Sequence, residues 1–482
     1  RIGKAEPIAV LSKDPSRAVR IAAVVALRRL KNPEVARFLS DADDYIVTEA
    51  ARAINDDLSI EAALPALGDV LLNDRFTNEA LIRRSINANL RVGTDKAMQN
   101  LIDYAKHEGC PVAMRAEAME ALSTWAKPSV LDRVDGRFRG VVTRDAAVVK
   151  AKAGDVLVQL SANKDALIRL SSVKAIGKLE IAQASASLFA LLKGDPKADV
   201  RAESLKALAS LNDKQIGEAI TRALSDKEKS VRVIGLDLLQ KMNISKELMV
   251  TLLTDVINTK TVEEKQAAIS TLGNLPLENS QKVFEQLLTK MESGKLPPET
   301  FLELSEAIDN SHASDLIARY KAISKVQSPD SLKASYAGSL LGGDADRGAN
   351  IFYSNQTAQC VRCHAYGDYG GTAGPRLNGV ASRLTREQIL ESLINPSARI
   401  APGFGTVSLE LVGGKKINGI LQQEKSNGLL VKVGDKPDTL ITKESIAKRT
   451  DGMSSMPPMR LLLSKKEIRD LVSFLSTMKE ND

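Results

Sequence analysis

The chain has 482 residues, 43% of them hydrophobic and 26% charged, which are globular values for roughly three domains and exclude wholesale disorder. Three cysteines are too few for a disulfide framework, and no stretch approaches the roughly 18 apolar residues of a membrane span. A net charge of +7, without a basic tail or stripe, calls for no nucleic acid.

Only 4% of the residues are aromatic, so the cores must be Leu, Ala, Ile and Val, the residues of packed helices. The chain opens at Arg1, with neither an initiator Met nor a secretory signal, and reads as a piece of something longer.

Residues 1–330 repeat one phrase: a polar or acidic turn, an aliphatic–Arg pair, then Ala and Leu at helical spacing. It runs Asp14-Pro15 with Val19-Arg20, Ile82-Arg83, Met114-Arg115, Ile168-Arg169, Asp195-Pro196 with Val200-Arg201, and Asp226 with Val231-Arg232. From Arg83 onward the steps are 32, 54, 32 and 31. An insertion at 126–144, carrying the irregular Asp135–Gly140 and expected to protrude, accounts for the long step. A period near 32 with two helices per unit predicts a solenoid, because each helix pair has an apolar face it can bury only against the next pair. Asp-Pro is expected to supply an N-cap and a first-turn Pro. Each Arg is expected to lie along a neighbouring unit and reach a carbonyl or carboxylate. The pattern resembles the short HEAT-like repeats, a family of α-solenoids.

Residues 331–345, with Gly342-Gly343-Asp344, read as a linker to a second domain at 346–482. There the sequence Cys360-Val361-Arg362-Cys363-His364 is the attachment signature of c-type haem. Two thiols three positions apart on one helical turn can each add to a haem vinyl group, and His364 then supplies the proximal imidazole. A thioredoxin-like disulfide would need a βαβ pattern, and a zinc site a second ligand pair; neither is visible. Upstream, Arg347–Phe352 reads as a short helix presenting Ile351 and Phe352. Downstream, Gly374-Pro375-Arg376-Leu377 resembles the Gly-Pro-x-Leu stretch of c-type cytochromes, which implies that the Pro375 carbonyl stands against the outer nitrogen of His364, with Leu377 packed on the ring edge. Of Met453, Met456 and Met459, Met456 is favoured as sixth ligand because Pro457 stiffens its loop and because the c-type cytochromes this region resembles present the ligand as Met-Pro; Met459 is the runner-up. His107 and His312, both in the repeats, read as surface or capping residues, and Cys110 as a small buried hydrophobe.

Residues 384–395 predict a helix and 464–477 a terminal helix. Between them Thr406–Leu411, Lys416–Gln422, Leu429–Val433 and Thr439–Thr442 read as strands of a β insertion at about 405–443. Gly413-Gly414, Asn427-Gly428 and Gly434-Asp435 are the turn pairs.

Cys360–His364, Gly374–Leu377, Ile394-Asn395-Pro396-Ser397, the β insertion and Ser455-Met456-Pro457 together resemble the C-terminal haem-binding domain of large multidomain proteins of Planctomycetes, Verrucomicrobia and Bacteroidetes. In that family HEAT-like repeats precede the haem domain, and a sugar-dehydrogenase-like β-propeller often precedes the repeats. The expected fold is therefore mainly α: an N-terminal HEAT-like α-solenoid (1–330), then a cytochrome c-like helical domain with a small β insertion.

The expected function is electron transfer by one covalent haem c, with iron ligated by His364 and Met456. The solenoid would act as docking scaffold for a redox partner protein or an upstream dehydrogenase domain. The alternatives are a haem-based redox or gas sensor on an interaction scaffold, and a fragment of a sugar or alcohol dehydrogenase without its propeller. No enzymatic activity is expected of this chain alone: it has one haem motif, no propeller blades and three His. Residues 346–482 carry 19 basic against 14 acidic side chains, enough to steer an acidic partner. Covalent haem attachment implies a bacterial periplasmic or other extracytoplasmic location.

Overall fold

The structure, a computed structural model, describes residues 4–57, 60–327, 330–434 and 436–479. It divides into two compact units, Arg1–Ile244 and Ser245–Asp482. The fold is mainly α with one small sheet region, and among the described residues no helix is long and apolar enough to cross a membrane.

The first unit is two rows of paired helices. One row contains Asp44–Asn55, Glu79–Val92, Val112–Ser123, Ala166–Leu179, Ala198–Ser210 and Lys229–Lys241, each packed on the next. The other contains Leu64–Asp69, Asp95–Lys106, Ala146–Leu160, Ser185–Gly194 and Ile216–Leu224. Asp43, Asn78, Asp145 and Asp165 start four of these helices by accepting the backbone N–H two residues on. Small residues set the spacing within a row: a Cβ on Gly177 would lie 3.2 Å from Cα of Ala207.

The recurring arginines form a ladder along the first row. Arg169 donates through its Nη1 to the carbonyls of Asn163 and Lys164 in its own turn, and through Nε to Asp195 of the next turn at 2.6 Å. Arg201 repeats this, bonding the Asp195 carbonyl at 2.8 Å and Asp226 at 2.6 and 2.7 Å. Arg232 continues it with the carbonyls of Asp226 and Lys227. The Asp-Pro expectation needs correcting. The N-caps are Ser16 and Lys197, and Asp14 and Asp195 stand two residues earlier, each accepting the N-cap backbone N–H at 2.8 Å. Folding back in this way leaves the outer carboxylate oxygen of Asp195 for the arginine of the preceding turn.

The insertion 126–144 does not protrude but lies back along its unit. Asp132 is buried and accepts from Nδ2 of Asn87 at 2.9 Å. Arg139 donates to the carbonyls of Asn55 and Asp57, both at 2.8 Å, and the Arg144 guanidinium sits 4.8 Å over the Trp125 ring.

In the second unit the helices Lys246–Thr259, Val262–Leu272, Leu277–Glu292, Phe301–Ser311 and Ser314–Gln327 again pair. The segment read as a linker is packed against them. A Cβ on Gly338 would lie 2.7 Å from Cα of Leu302, Ser339 Oγ donates to the Lys465 carbonyl at 2.9 Å, and Gln266 donates to the Gly342 carbonyl at 3.0 Å. Arg469, on the terminal helix Lys465–Leu475, pairs with Glu303 at 2.9 Å with both side chains buried. These ties place residues on both sides of position 330 in one compact unit, whose edge falls at Ile244/Ser245.

Beyond residue 344, helices Ala345–Ser354, Arg386–Ile394 and Lys465–Leu475 enclose a core of Phe352, Ile389, Leu393, Ile468, Leu471 and Val472. The first and last cross closely because residue 348 is Gly: a Cβ there would lie 2.1 Å from the Asp470 carbonyl. A two-stranded hairpin pairs β1 (Ala365–Tyr366) with β2 (Tyr369–Gly370). The β insertion is a five-stranded antiparallel sheet of β3 (Gly405–Leu411), β4 (Lys416–Lys425), β5 (Gly428–Lys432), β6 (Thr439–Thr442) and β7 (Ile446–Asp451), in the order β6-β5-β4-β3-β7. One face buries Val407, Leu409, Leu429, Val431 and Ile441. The sequence pattern does not reveal β7, an exposed edge strand carrying Lys448 and Arg449, charges that suit an unpaired edge. The turn read at Gly434-Asp435 includes Asp435, which lies outside the described residues.

Candidate cofactor site

Cys360–Cys363 is a single helical turn entered through Gln359, whose φ of 46° is left-handed. Asn355 braces the approach, its Oδ1 accepting from the backbone N–H groups of Thr357 and Ala358 at 2.9 Å each. The loop 371–378 then wraps the turn through backbone bonds. Gly371 N–H donates to the Val361 carbonyl at 2.8 Å, Gly374 N–H to the Cys363 carbonyl at 2.8 Å and Leu377 N–H to the Ala365 carbonyl at 2.9 Å.

This wrapping fixes His364. Its Nδ1–H donates to the Pro375 carbonyl at 2.9 Å. A carbonyl only accepts, so the proton is on Nδ1 and the Nε2 lone pair is left for a metal. Gly374 lies against the ring, where a Cβ would stand 2.8 Å from Cε1 and 3.2 Å from Nε2. The ring is therefore held in one tautomer and one plane by residues ten and eleven positions downstream.

Cys360 and Cys363 are free thiols, the first half-buried and the second exposed. Burial holds the Cys360 thiol above its ordinary pKa range. Among the described residues Cys360, Cys363 and His364 do not form a three-ligand cluster, and the two cysteines are not joined in a disulfide.

Cys360, Leu377 and Met456 are each half-buried against one core, which also contains Phe352. The three candidate methionines separate clearly. Met453 is 86% exposed and Met459 is 2% exposed within the core; Met456 lies between these extremes at the core margin. The Met456 loop is pinned at both ends by the Ile394–Ser397 segment. Ser397 Oγ accepts from the Ser454 N–H at 3.1 Å, and the Ile394 carbonyl accepts from Arg460 Nε at 3.0 Å. Sequence reasoning passed over Gln359, Ser397 and Arg460 as site-building residues. Only the Ile394–Ser397 stretch carried a signal, and it said nothing of what the segment holds.

His312 ends the Phe301–Ser311 helix in a left-handed conformation, φ 54°, and His107 ends Asp95–Lys106. Both are capping positions remote in sequence from residue 364.

Comparison with known proteins defines the class of the repeat region: residues 185–273 match the family of HEAT repeats. No curated protein matches the chain. Among solved structures it is similar to YibA of Escherichia coli, at 17% identity and a TM-score of 0.36 over 63% of this chain and 99% of that one. It is also similar to human deoxyhypusine hydroxylase in complex with glycerol, at 18% identity and a TM-score of 0.23 over 49% and 94% of the two chains. A third is the CpcE–CpcF complex of phycocyanin lyase from Nostoc, at 14% identity and a TM-score of 0.27 over 61% and 93%.

Proposed function

We propose that this chain is an electron carrier in which residues 346–482 form a cytochrome c-like domain holding one covalent haem c. The observation that carries the reading is the His364–Pro375 hydrogen bond directly after a Cys-x-x-Cys turn. A histidine needs this restraint when it must offer Nε2 to a metal in a fixed plane, and Gly374 makes room for it. The half-buried Cys360, Leu377 and Met456 provide an apolar edge of the kind a flat macrocycle covers. The haem supplies one-electron exchange between ferric and ferrous iron.

The chain's own part is to bind, orient and tune. Cys360 and Cys363 would anchor the cofactor as thioethers, His364 Nε2 would be the proximal ligand, and Met456 the sixth. The Pro375 carbonyl makes the imidazole a stronger donor, and a thioether ligand raises the potential. If His364 and Met456 both held the iron, the chain would pass electrons rather than transform a substrate. The HEAT repeats would dock a redox partner or upstream dehydrogenase domain, in a periplasmic or other extracytoplasmic setting where cytochrome maturation operates.

Intact mass under denaturing conditions, with a pyridine haemochrome spectrum, should show one haem bound per chain made in cells competent for cytochrome maturation. An unmodified mass would refute the proposal. Met456→Ala should remove the long-wavelength sulfur-to-iron band of the ferric protein, while Met453→Ala and Met459→Ala leave it. Carbon monoxide binding to the ferrous wild type at neutral pH would favour a sensor instead.

A further inference from the structure

Three metal-ligating side chains from two loops meet in the first unit, among residues the haem reading does not use. His107 ends helix Asp95–Lys106, and the spacing His107-Glu108-Gly109-Cys110 turns its ring back over the cysteine. Nδ1 of His107 is 3.2 Å from Cys110 Sγ, and its Nε2 is 3.6 Å from Oδ2 of Asp74. One ligand atom from each of the three lies within 4.8 Å of the others. Gly109 permits the reversal, since a Cβ there would lie 3.0 Å from the His107 Cε1.

A second observation points to the same place. Tyr104 is 5% exposed, and its hydroxyl lies beside the Cys110 sulfur. Arg115 is 3% exposed, with one terminal nitrogen unpartnered, and its charge acts on the same sulfur. A buried hydroxyl and a buried guanidinium nitrogen gain little from a neutral thiol, a weak acceptor. They are well used beside a thiolate, which is the form a metal requires.

We infer that Asp74, His107 and Cys110 bind one zinc-class divalent ion. One nitrogen, one sulfur and one oxygen are the borderline donor set that zinc takes, and magnesium or calcium would not select the thiolate. Nδ1, the nitrogen beside the sulfur, would be the imidazole ligand, and the Asp74 side chain, 72% exposed, would turn from its place beside Nε2 to supply the oxygen. Three protein ligands leave a fourth position for water. Binding forms the sulfur–metal bond and releases the Cys110 proton to solvent. The Tyr104 hydroxyl would then donate to the bound sulfur.

The test is zinc chloride against the full chain, by equilibrium dialysis with metal analysis and by X-ray absorption at the zinc edge. One zinc per chain is expected, with one sulfur at about 2.3 Å and the remaining ligands nitrogen or oxygen. His107→Gln, at a half-exposed position, and Cys110→Ser should each weaken binding at least about tenfold. The double variant Cys360→Ser/Cys363→Ser should keep one zinc. The inference is overturned if no zinc binds at micromolar concentration or if no sulfur is seen. It is also overturned if both single variants bind as wild type, or if zinc is lost only with Cys360 and Cys363.

Discussion

Arg169 and Arg201 do the same thing 32 residues apart: each bonds carbonyls of its own turn and reaches the aspartate of the next. In the 355–460 region nothing repeats. His364 depends on Pro375, the Met456 loop on Ser397 and Ile394, and the terminal helix on Glu303, 166 residues away. The difference is one of redundancy. A ladder spreads its polar contacts over near-equivalent rungs, whereas the second region holds each functional position by partners that have no equivalent elsewhere in it.

That contrast can be broken most forcefully at Glu303. Removing it by Glu303→Ala leaves the buried Arg469 charge uncompensated, and urea unfolding should show a loss of about 3–5 kcal/mol. Glu303→Leu with Arg469→Met should recover most of it, because well-packed apolar residues replace a buried pair at little net cost. A rung of the ladder should cost less. Arg201→Ala is expected to lose about 3 kcal/mol, and Arg201→Lys about half as much, a lysine being unable to bond Asp226 in fork geometry.

The same rung carries a pH signature. Burial alone would raise the Asp226 pKa, but Arg201 and the Glu228 N–H hold it below the usual carboxylate value. Its stabilisation is therefore fully present above about pH 4 and fades as pH falls through the lowered folded-state value. Urea midpoints between about pH 2.5 and 6 should show this loss in the wild type and a flatter profile in Asp226→Asn.

Gly374→Ala tests the unrepeated arrangement of the second region. Its methyl would press on the His364 ring, costing about 1–3 kcal/mol and displacing the Nδ1–H resonance bonded to Pro375 in proton NMR. The smallest effect belongs to Ser397→Ala. It removes one exposed hydrogen bond, worth about 0.5 kcal/mol, and should be visible chiefly as faster amide exchange at Ser454.

The repeat was legible because its cause is local. A helix pair must bury one face, so Ala, Leu and the aliphatic–Arg pair recur at that face's spacing, and 185–273 match HEAT repeats. Four of the five strands of the insertion were legible through turn glycines and alternation. The fifth, Ile446–Asp451, was hidden because an exposed edge needs no apolar side. The Cys360–His364 turn could be anticipated from its thiol spacing, and the Pro375 restraint from the resemblance of Gly374–Leu377 to the Gly-Pro-x-Leu stretch of c-type cytochromes.

Sequence alone determined the periodic elements and the chemistry-bearing motif, both set by contacts within a few tens of residues. Tertiary structure alone decided which methionine stands at the core margin, why 331–345 is packed rather than free, and that His107, Cys110 and Asp74 meet. Each of these depends on how separate segments pack. Burial and side-chain approach are properties of the assembled chain, and the residue types are the same whether or not their neighbours arrive.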